Sequence, residues 1–127
     1  MKRRWATLLV AVALVISSAR MPAAADPWDG AANGGNGWKY LAWFGSFQDV
    51  GSGWIWHAEH GWLYVSGTSP SSLWLWSSRL GWLWTSDSVY PFLYRSDTVA
   101  WLYYYRNTGN GAGGWFYEFG NGQTRWL

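Results

Sequence analysis

Residues 53–67 read GWIWHAEHGWLYVSG, and residues 72–86 read SLWLWSSRLGWLWTS. The triplets at 54–56 and 61–63 recur twenty residues later in the second segment. Within each segment, two runs that alternate aromatic with other residues flank a short loop. Alternation with a period of two is typical of β-strands, and two such runs around a short loop predict a β-hairpin. Each segment is therefore expected to fold as one hairpin.

The register of both hairpins can be tested by matching the two runs. With tryptophan facing tryptophan next to each loop, aromatic meets aromatic and aliphatic meets aliphatic at every position, which favours cross-strand pairing. The predicted pairs are Trp56–Trp62, Ile55–Leu63 and Trp54–Tyr64 in the first hairpin, and Trp76–Trp82, Leu75–Leu83 and Trp74–Trp84 in the second.

Looser copies of the unit follow at residues 92–103 and 115–127, and an incomplete unit precedes it at 38–47. Tandem units of this length are typical of stacked supersecondary repeats. We therefore predict an all-β fold of about four tandem β-hairpin repeats of ~20 residues, stacked as a solenoid or small meander.

The third and fourth units have their own predicted registers. Pairing Tyr94 with Trp101 in the third unit requires a bulge or a wider turn, because its loop is one residue longer. The expected pairs of the fourth unit are Tyr117–Trp126 and Glu118–Arg125, the second being a favourable pair of opposite charges.

Each predicted hairpin carries two different apolar surfaces, because successive side chains of a strand point to opposite faces. The aromatic surface comprises Trp54, Trp56, Trp62, Tyr64, Trp74, Trp76, Trp82, Trp84, Phe92, Tyr94, Trp101 and Tyr103. The aliphatic surface comprises Ile55, Leu63, Val65, Leu73, Leu75, Leu83, Leu93 and Leu102. A single sheet in a monomer buries only one of these surfaces, so either the sheet wraps on itself or one surface is open to a partner.

Residues 1–25 have the organisation of a secretory signal peptide. Three basic residues at 2–4 precede an apolar run at 8–16, and three alanines at 23–25 supply the small residues needed for cleavage. We predict that cleavage leaves a secreted, periplasmic or cell-surface protein with no integral membrane segment.

The predicted mature chain has two parts. A flexible Gly/Asn-rich lead-in at 26–37 precedes a Trp-rich β-hairpin repeat domain at 38–127. The chain has no cysteine. Small exported domains often depend on disulfides, so this one must be stabilised by packing alone.

Cleavage would also reverse the net charge. The 127-residue chain carries nine basic and seven acidic residues, for a formal charge of +2. Four of the basic residues and none of the acidic ones lie in 1–25, so the mature chain would carry −2. Because nucleic-acid binding needs a concentration of basic side chains against the phosphates, we expect no nucleic-acid partner.

The runs GWIWHAEHGWLYV, GWLWTS and WLYYYRN resemble the aromatic hairpin repeats of bacterial choline-binding and glucan-binding cell-wall modules. The chain is also similar to Trp-rich repeat tails on exported proteins of some environmental Gram-negative bacteria. The resemblance covers about residues 38–127 and implies that aromatic hairpins recognise an envelope polymer. Glycine directly before Trp62 and Trp82 departs from the choline-binding pattern, so choline itself is not implied.

The aromatic surface is the candidate binding site. Indole and phenol faces offer stacking platforms for sugar rings or for quaternary ammonium groups, although the same rings would form the core if the units stacked through them. We predict ligand binding by the rings that flank the loops, which are Trp56, Trp62, Trp76, Trp82, Tyr94 and Trp101. The predicted function is non-catalytic binding of a polysaccharide or another cell-envelope polymer. The alternative is a self-associating structural or surface-scaffold protein.

We predict no catalytic site, metal or cofactor. His57, Glu59 and His60 offer three ligands to zinc, but their spacing differs from the helical zinc motif and the chain has no other His or Cys. These residues are therefore expected to form a solvated turn. The acidic residues are scattered over loops with no shared apolar pocket that would raise a pKa, and no G-x-S-x-G motif is present.

Overall fold

The computed structural model describes residues 26–127, and it is all-β. Eleven antiparallel strands form one open sheet in which every strand pairs with its neighbours in sequence. The strands are β1 (Ala32–Gly35), β2 (Trp38–Leu41), β3 (Gly45–Gly51), β4 (Trp54–His57), β5 (Gly61–Ser69), β6 (Ser72–Ser77), β7 (Gly81–Thr85), β8 (Phe92–Arg95), β9 (Ala100–Tyr104), β10 (Trp115–Glu118) and β11 (Gln123–Trp126). The predicted meander of hairpins is confirmed. The described residues contain no helix long and apolar enough to cross a membrane, and the predicted signal peptide lies outside them.

The predicted registers of the first three complete hairpins agree with the structure. All six pairs predicted for β4–β5 and β6–β7 are present. Tyr94 pairs with Trp101 across a four-residue turn, at 96–99, in which Val99 has a φ of 53°. The extra residue of the third loop is thus accommodated by a wider turn.

The register predicted for the fourth hairpin is wrong by two residues. Trp115 pairs with Trp126 and Tyr117 pairs with Thr124. The reason is a tight turn in which the Gly122 N–H donates to the carbonyl of Glu118 at 2.8 Å, with a φ of 70° at the glycine. Glu118 and Arg125 still form an ion pair at 3.2 Å, but diagonally across the strands.

The sheet begins earlier than the boundary predicted at residue 38. Within the segment predicted as a flexible lead-in, residues 32–35 form β1, which pairs with β2. Trp28 is buried, and its ring packs on those of Phe44 and Phe47 at 5.3 and 4.6 Å. One indole therefore fixes the start of the described chain to the core. The Gly/Asn-rich composition around Trp28 did not indicate this contact.

The aliphatic surface is the buried one. Seven of its eight side chains are only 0–3 % exposed, and these are Ile55, Leu63, Leu73, Leu75, Leu83, Leu93 and Leu102; Val65 is half-buried. The twelve rings of the predicted aromatic surface, on β4–β9, are each half-buried or exposed. We call these twelve rings the outer aromatic face.

The aliphatic side chains are covered by the curvature of the sheet, because all regular elements of the described chain belong to it. One leucine from each of the strands β5 to β8 lines the same small void of about 10 Å³, and these are Leu63, Leu75, Leu83 and Leu93. Such a void has room for about one water molecule at most. The four strands thus converge on one closely packed core.

Buried rings connect parts of the sheet that are distant in sequence. Phe44, in the β2–β3 turn, packs edge-on against Tyr90 of the β7–β8 loop at 5.3 Å. Tyr90 lies 6.4 Å from Tyr104 on β9, and Tyr104 lies 5.1 Å from Phe116 on β10. In addition, Arg106 donates to the carbonyl of Ala42 at 3.0 Å. The sequence comparison of the two runs did not identify this aromatic part of the core.

Replacing Leu75 with alanine should lower the free energy of unfolding by about 2–5 kcal/mol, because it leaves a cavity among side chains that surround it from both neighbouring strands. Urea unfolding followed by circular dichroism measures this change. Trp62→Ala is the matched control on the outer surface and should cost clearly less. Equal losses for the two variants would contradict the assignment of the inner and outer faces.

Candidate outer aromatic binding face

The six rings predicted to bind ligand all lie on the outer aromatic face. Trp62, Trp82 and Trp101 are the more open ones, at 52, 38 and 37 % exposure, and their cross-strand partners Trp56, Trp76 and Tyr94 are half-buried. In two of the three pairs the rings meet edge to face, with centroids at 5.4 Å for Trp56–Trp62 and 5.5 Å for Tyr94–Trp101. The half-buried ring of each such pair supports the exposed one.

Other rings of the face join these pairs into a network. The Trp54 ring meets Trp62, Tyr64 and Trp76 at 6.5, 5.4 and 6.1 Å, each in an edge-to-face arrangement. Tyr64 in turn meets Trp82 at 6.3 Å. Contacts of this kind contribute about 0.5–1.5 kcal/mol each beyond buried area, so the rings hold one another in place. Trp54 and Tyr64 were not among the predicted site residues, although the predicted register already placed them beside Trp62.

The face contains a shallow, open cleft of about 350 Å³ between Trp74 and Trp82. Its remaining walls are Ser66 and Ser96. Ser66 pairs with Trp74 across β5 and β6, and the Ser96 N–H donates to the carbonyl of Trp82 at 3.0 Å. The cleft therefore runs diagonally from β5 across β6 and β7 to the residue that follows β8, so matching the two runs of one hairpin does not predict it.

The outer aromatic face carries no charge. Besides the rings, the outward positions of β4–β9 include Ser66 and Ser72, and none of these positions holds a charged residue. Nearby charges pair elsewhere: Arg95 Nε lies 2.7 Å from Asp97 Oδ1, and Lys39 lies 3.8 Å from Asp49. A ligand on this face would thus meet π surfaces, indole N–H groups and hydroxyls.

No protein-family model matches the chain, and no similar protein was found among characterised proteins or among solved structures. The resemblance to choline-binding and glucan-binding repeats therefore stays a prediction from the sequence.

The solvated turn predicted for His57, Glu59 and His60 is wrong, because both histidines are buried. His57 Nε2 lies 2.8 Å from the carbonyl of Phe44, so Nε2 carries the proton and donates. His57 Nδ1 then accepts from the backbone N–H groups of Glu59 and His60, at 3.1 and 3.2 Å. Both nitrogens of His57 are occupied within the protein. Among residues 26–127, no group of three or more His, Cys, Asp or Glu side chains is placed to hold a metal ion.

Glu59 and His60 attach this loop to the far part of the sheet. Tyr104 Oη and the Asn107 N–H both donate to Glu59 Oε1 at 2.6 Å, and the His60 ring bonds Tyr90 Oη at 2.7 Å. The carbonyl of Glu59 also accepts from the Gly111 N–H at 2.9 Å. The histidine loop is therefore a structural clamp inside the curved sheet.

Burial sets the protonation states in this clamp. Desolvation lowers the pKa of His57 to about 4 and that of His60 well below its usual value, the neighbouring His57 also lowering the latter. Burial and the hydrogen bond to Glu59 raise the pKa of Tyr104 to about 12. Both histidines are consequently neutral at pH 7, as the hydrogen bonds of His57 require.

The free energy of unfolding should fall as the pH drops below about 6.5 towards 4. The unfolded chain binds protons on His57 and His60 in this range and the folded chain does not, so acid favours unfolding by up to about 1.4 kcal/mol per pH unit for each histidine. Urea unfolding at pH 7.5, 6.0 and 5.0 measures this effect, above the range in which ordinary carboxylates titrate. The chain has only these two histidines. Constant stability from pH 7.5 to 5.0 would contradict the clamp.

Proposed function

We propose that this chain is an exported, non-catalytic binding module whose outer aromatic face recognises a polysaccharide or another cell-envelope polymer. One observation carries the proposal: the sheet buries its aliphatic side chains and leaves its indole rings on the surface. Burial of large apolar rings contributes strongly to stability. Because this fold leaves a continuous group of large apolar rings exposed, that group is a candidate interaction surface.

The chemistry of the face favours a carbohydrate ligand. The C–H groups of a sugar ring carry small positive charges and pack well on the negative face of an indole. Indole N–H groups and serine hydroxyls beside the rings can bond the sugar hydroxyls. The absence of charge on the outward positions of β4–β9 disfavours nucleic acid, which needs cations against its phosphates.

The repeated arrangement suits a polymer in particular. Six neighbouring strands, at a spacing of about 4.8 Å, make the face about 24 Å wide. A chain of sugar units can touch rings on several strands at once, and each added contact is intramolecular once the first has formed. Weak individual contacts then give a useful total affinity. The signal-peptide pattern of residues 1–25 supports a secreted, periplasmic or cell-surface location for such an interaction.

The binding test is a pull-down of the mature protein with insoluble glucan, chitin and peptidoglycan. The wild type should bind at least one of them, and replacing Trp62, Trp82 and Trp101 together with alanine should weaken that binding at least about tenfold, because three stacking contacts of about 0.5–1.5 kcal/mol are removed.

Trp126→Ala is the matched control, because this indole on β11 is also exposed but lies outside the outer aromatic face. It should bind like the wild type, and circular dichroism must show that all variants are folded. A folded wild type that binds none of the polymers would rule out the proposed function.

A self-associating scaffold is the second candidate function, and the edges of the sheet support it. Within residues 26–127, β1 and β11 each pair with a strand on one side only, and all their residues are exposed. Unpaired strand edges can add a further strand from another copy. Gly114 and Leu127 exchange both backbone hydrogen bonds, at 3.0 and 2.9 Å. In an antiparallel pair, residues that bond the neighbouring strand alternate with residues whose N–H and C=O point away from it. Thr124 lies three residues before Leu127, so its N–H points away from β10.

If copies associate through β11, Thr124→Pro should shift the protein towards monomer, because proline removes an outward N–H without breaking the ladder to β10. Thr124→Ala keeps the N–H and is the control. Sedimentation velocity over a hundredfold range of concentration, without any glycan, measures the association. A wild type that stays monomeric throughout would exclude this function.

A further inference from the structure

We propose that the cleft between Trp74 and Trp82 is a subsite for one neutral pyranose ring. This inference rests on the proposed function and names the position and the ligand chemistry within the face. The cleft has a volume of about 350 Å³, which lies at the lower end of the range of small-molecule sites. A single ring is therefore the unit that it suits.

The two indoles give the cleft apolar walls on different strands. Trp74 lies on β6 and Trp82 on β7, and they are 36 and 38 % exposed. They are diagonal neighbours, since Trp74 pairs with Trp84 and Trp82 pairs with Trp76. The equivalent diagonal pair of the first hairpin, Trp54 and Trp62, meets edge to face at 6.5 Å, whereas the space between Trp74 and Trp82 is open.

The surrounding residues hold this space open. Trp84 Nε1–H donates to Ser72 Oγ at 3.1 Å, which fixes the ring opposite Trp74. Trp82 packs edge-on against Tyr64 at 6.3 Å. Supported rings lose little conformational freedom when a ligand binds, so less of the binding free energy is spent on ordering them.

The polar residues of the cleft match a neutral sugar. Ser66 and Ser96 lie at its two ends, on β5 and next to the end of β8, and each hydroxyl can donate and accept. A pyranose has apolar C–H faces and hydroxyl groups around its edge, so its faces fit the indoles while its edge meets the serines. In the described part of the chain, no carboxylate or cation lines the cleft. This composition favours a neutral ring over a charged sugar or a quaternary ammonium group.

The test measures Kd by isothermal titration for the tetrasaccharides of β-1,4-, β-1,3- and α-1,4-glucan, with choline chloride as the cationic probe. Trp74→Ala and Trp82→Ala should each weaken binding of the best tetrasaccharide about tenfold. The double variant Ser66→Ala/Ser96→Ala should weaken it about three- to tenfold, since a hydrogen bond contributes about 0.5–1.5 kcal/mol.

Trp126→Ala and Ser71→Ala are the matched controls, because each changes the same residue type at an exposed position outside the cleft. Both should keep the wild-type Kd.

If the Trp74 and serine variants bind like the wild type while Trp62→Ala and Trp101→Ala do not, the subsite is wrong and the proposed function stands. If choline binds more tightly than every tetrasaccharide, and Trp74→Ala weakens the binding of choline, the proposal of a neutral ligand is wrong. A wild type that binds no glycan in the pull-down would remove the proposed function itself.

Discussion

The in-and-out alternation of side chains along β4–β9 is the constraint on which the structure depends. Leu63, between Trp62 and Tyr64, is buried because it points inward, and its two neighbours must then point outward. A shift of one residue in register would bury the rings and expose the leucines of a strand. The aromatic surface is thus a direct consequence of burying the aliphatic one.

A single sheet has to curve to bury a face, and the clamp built by His57 and Glu59 shows how the chain maintains that curvature. The backbone of the β4–β5 turn would lose its hydrogen bonds with water once enclosed, which is costly unless they are replaced. His57 replaces two of them by accepting from the N–H groups of Glu59 and His60, and it also donates to the carbonyl of Phe44 in the β2–β3 turn. Glu59 binds Tyr104 across the core. Polar groups therefore determine where distant strands meet, and leucines fill the space between them.

The sequence predicted the strand pairs correctly where contacts between two adjacent runs determine the register. Matching of aromatic and aliphatic residues predicted the pairs around Trp56 and Trp76, because cross-strand contacts depend on two adjacent runs only. The fourth hairpin was misjudged because the attraction between Glu118 and Arg125 acts diagonally as well as directly across. Burial of the histidines could not be predicted, since their loop contacts Tyr90 and Tyr104, which are distant in sequence. The cleft beside Trp74 combines residues of two successive hairpins, so matching the runs of one hairpin does not predict it.

The two proposed functions use different parts of the molecule, so they do not compete physically. Ligand stacking involves the π faces of β4–β9, whereas association of copies would use the backbone groups of β1 and β11. Edge pairing between copies would extend the sheet and place one outer aromatic face beside another. A polymer could then contact rings of successive copies, and each copy would raise the effective concentration of the next. Self-association would in that case strengthen polymer binding, and the polymer would by linkage favour association.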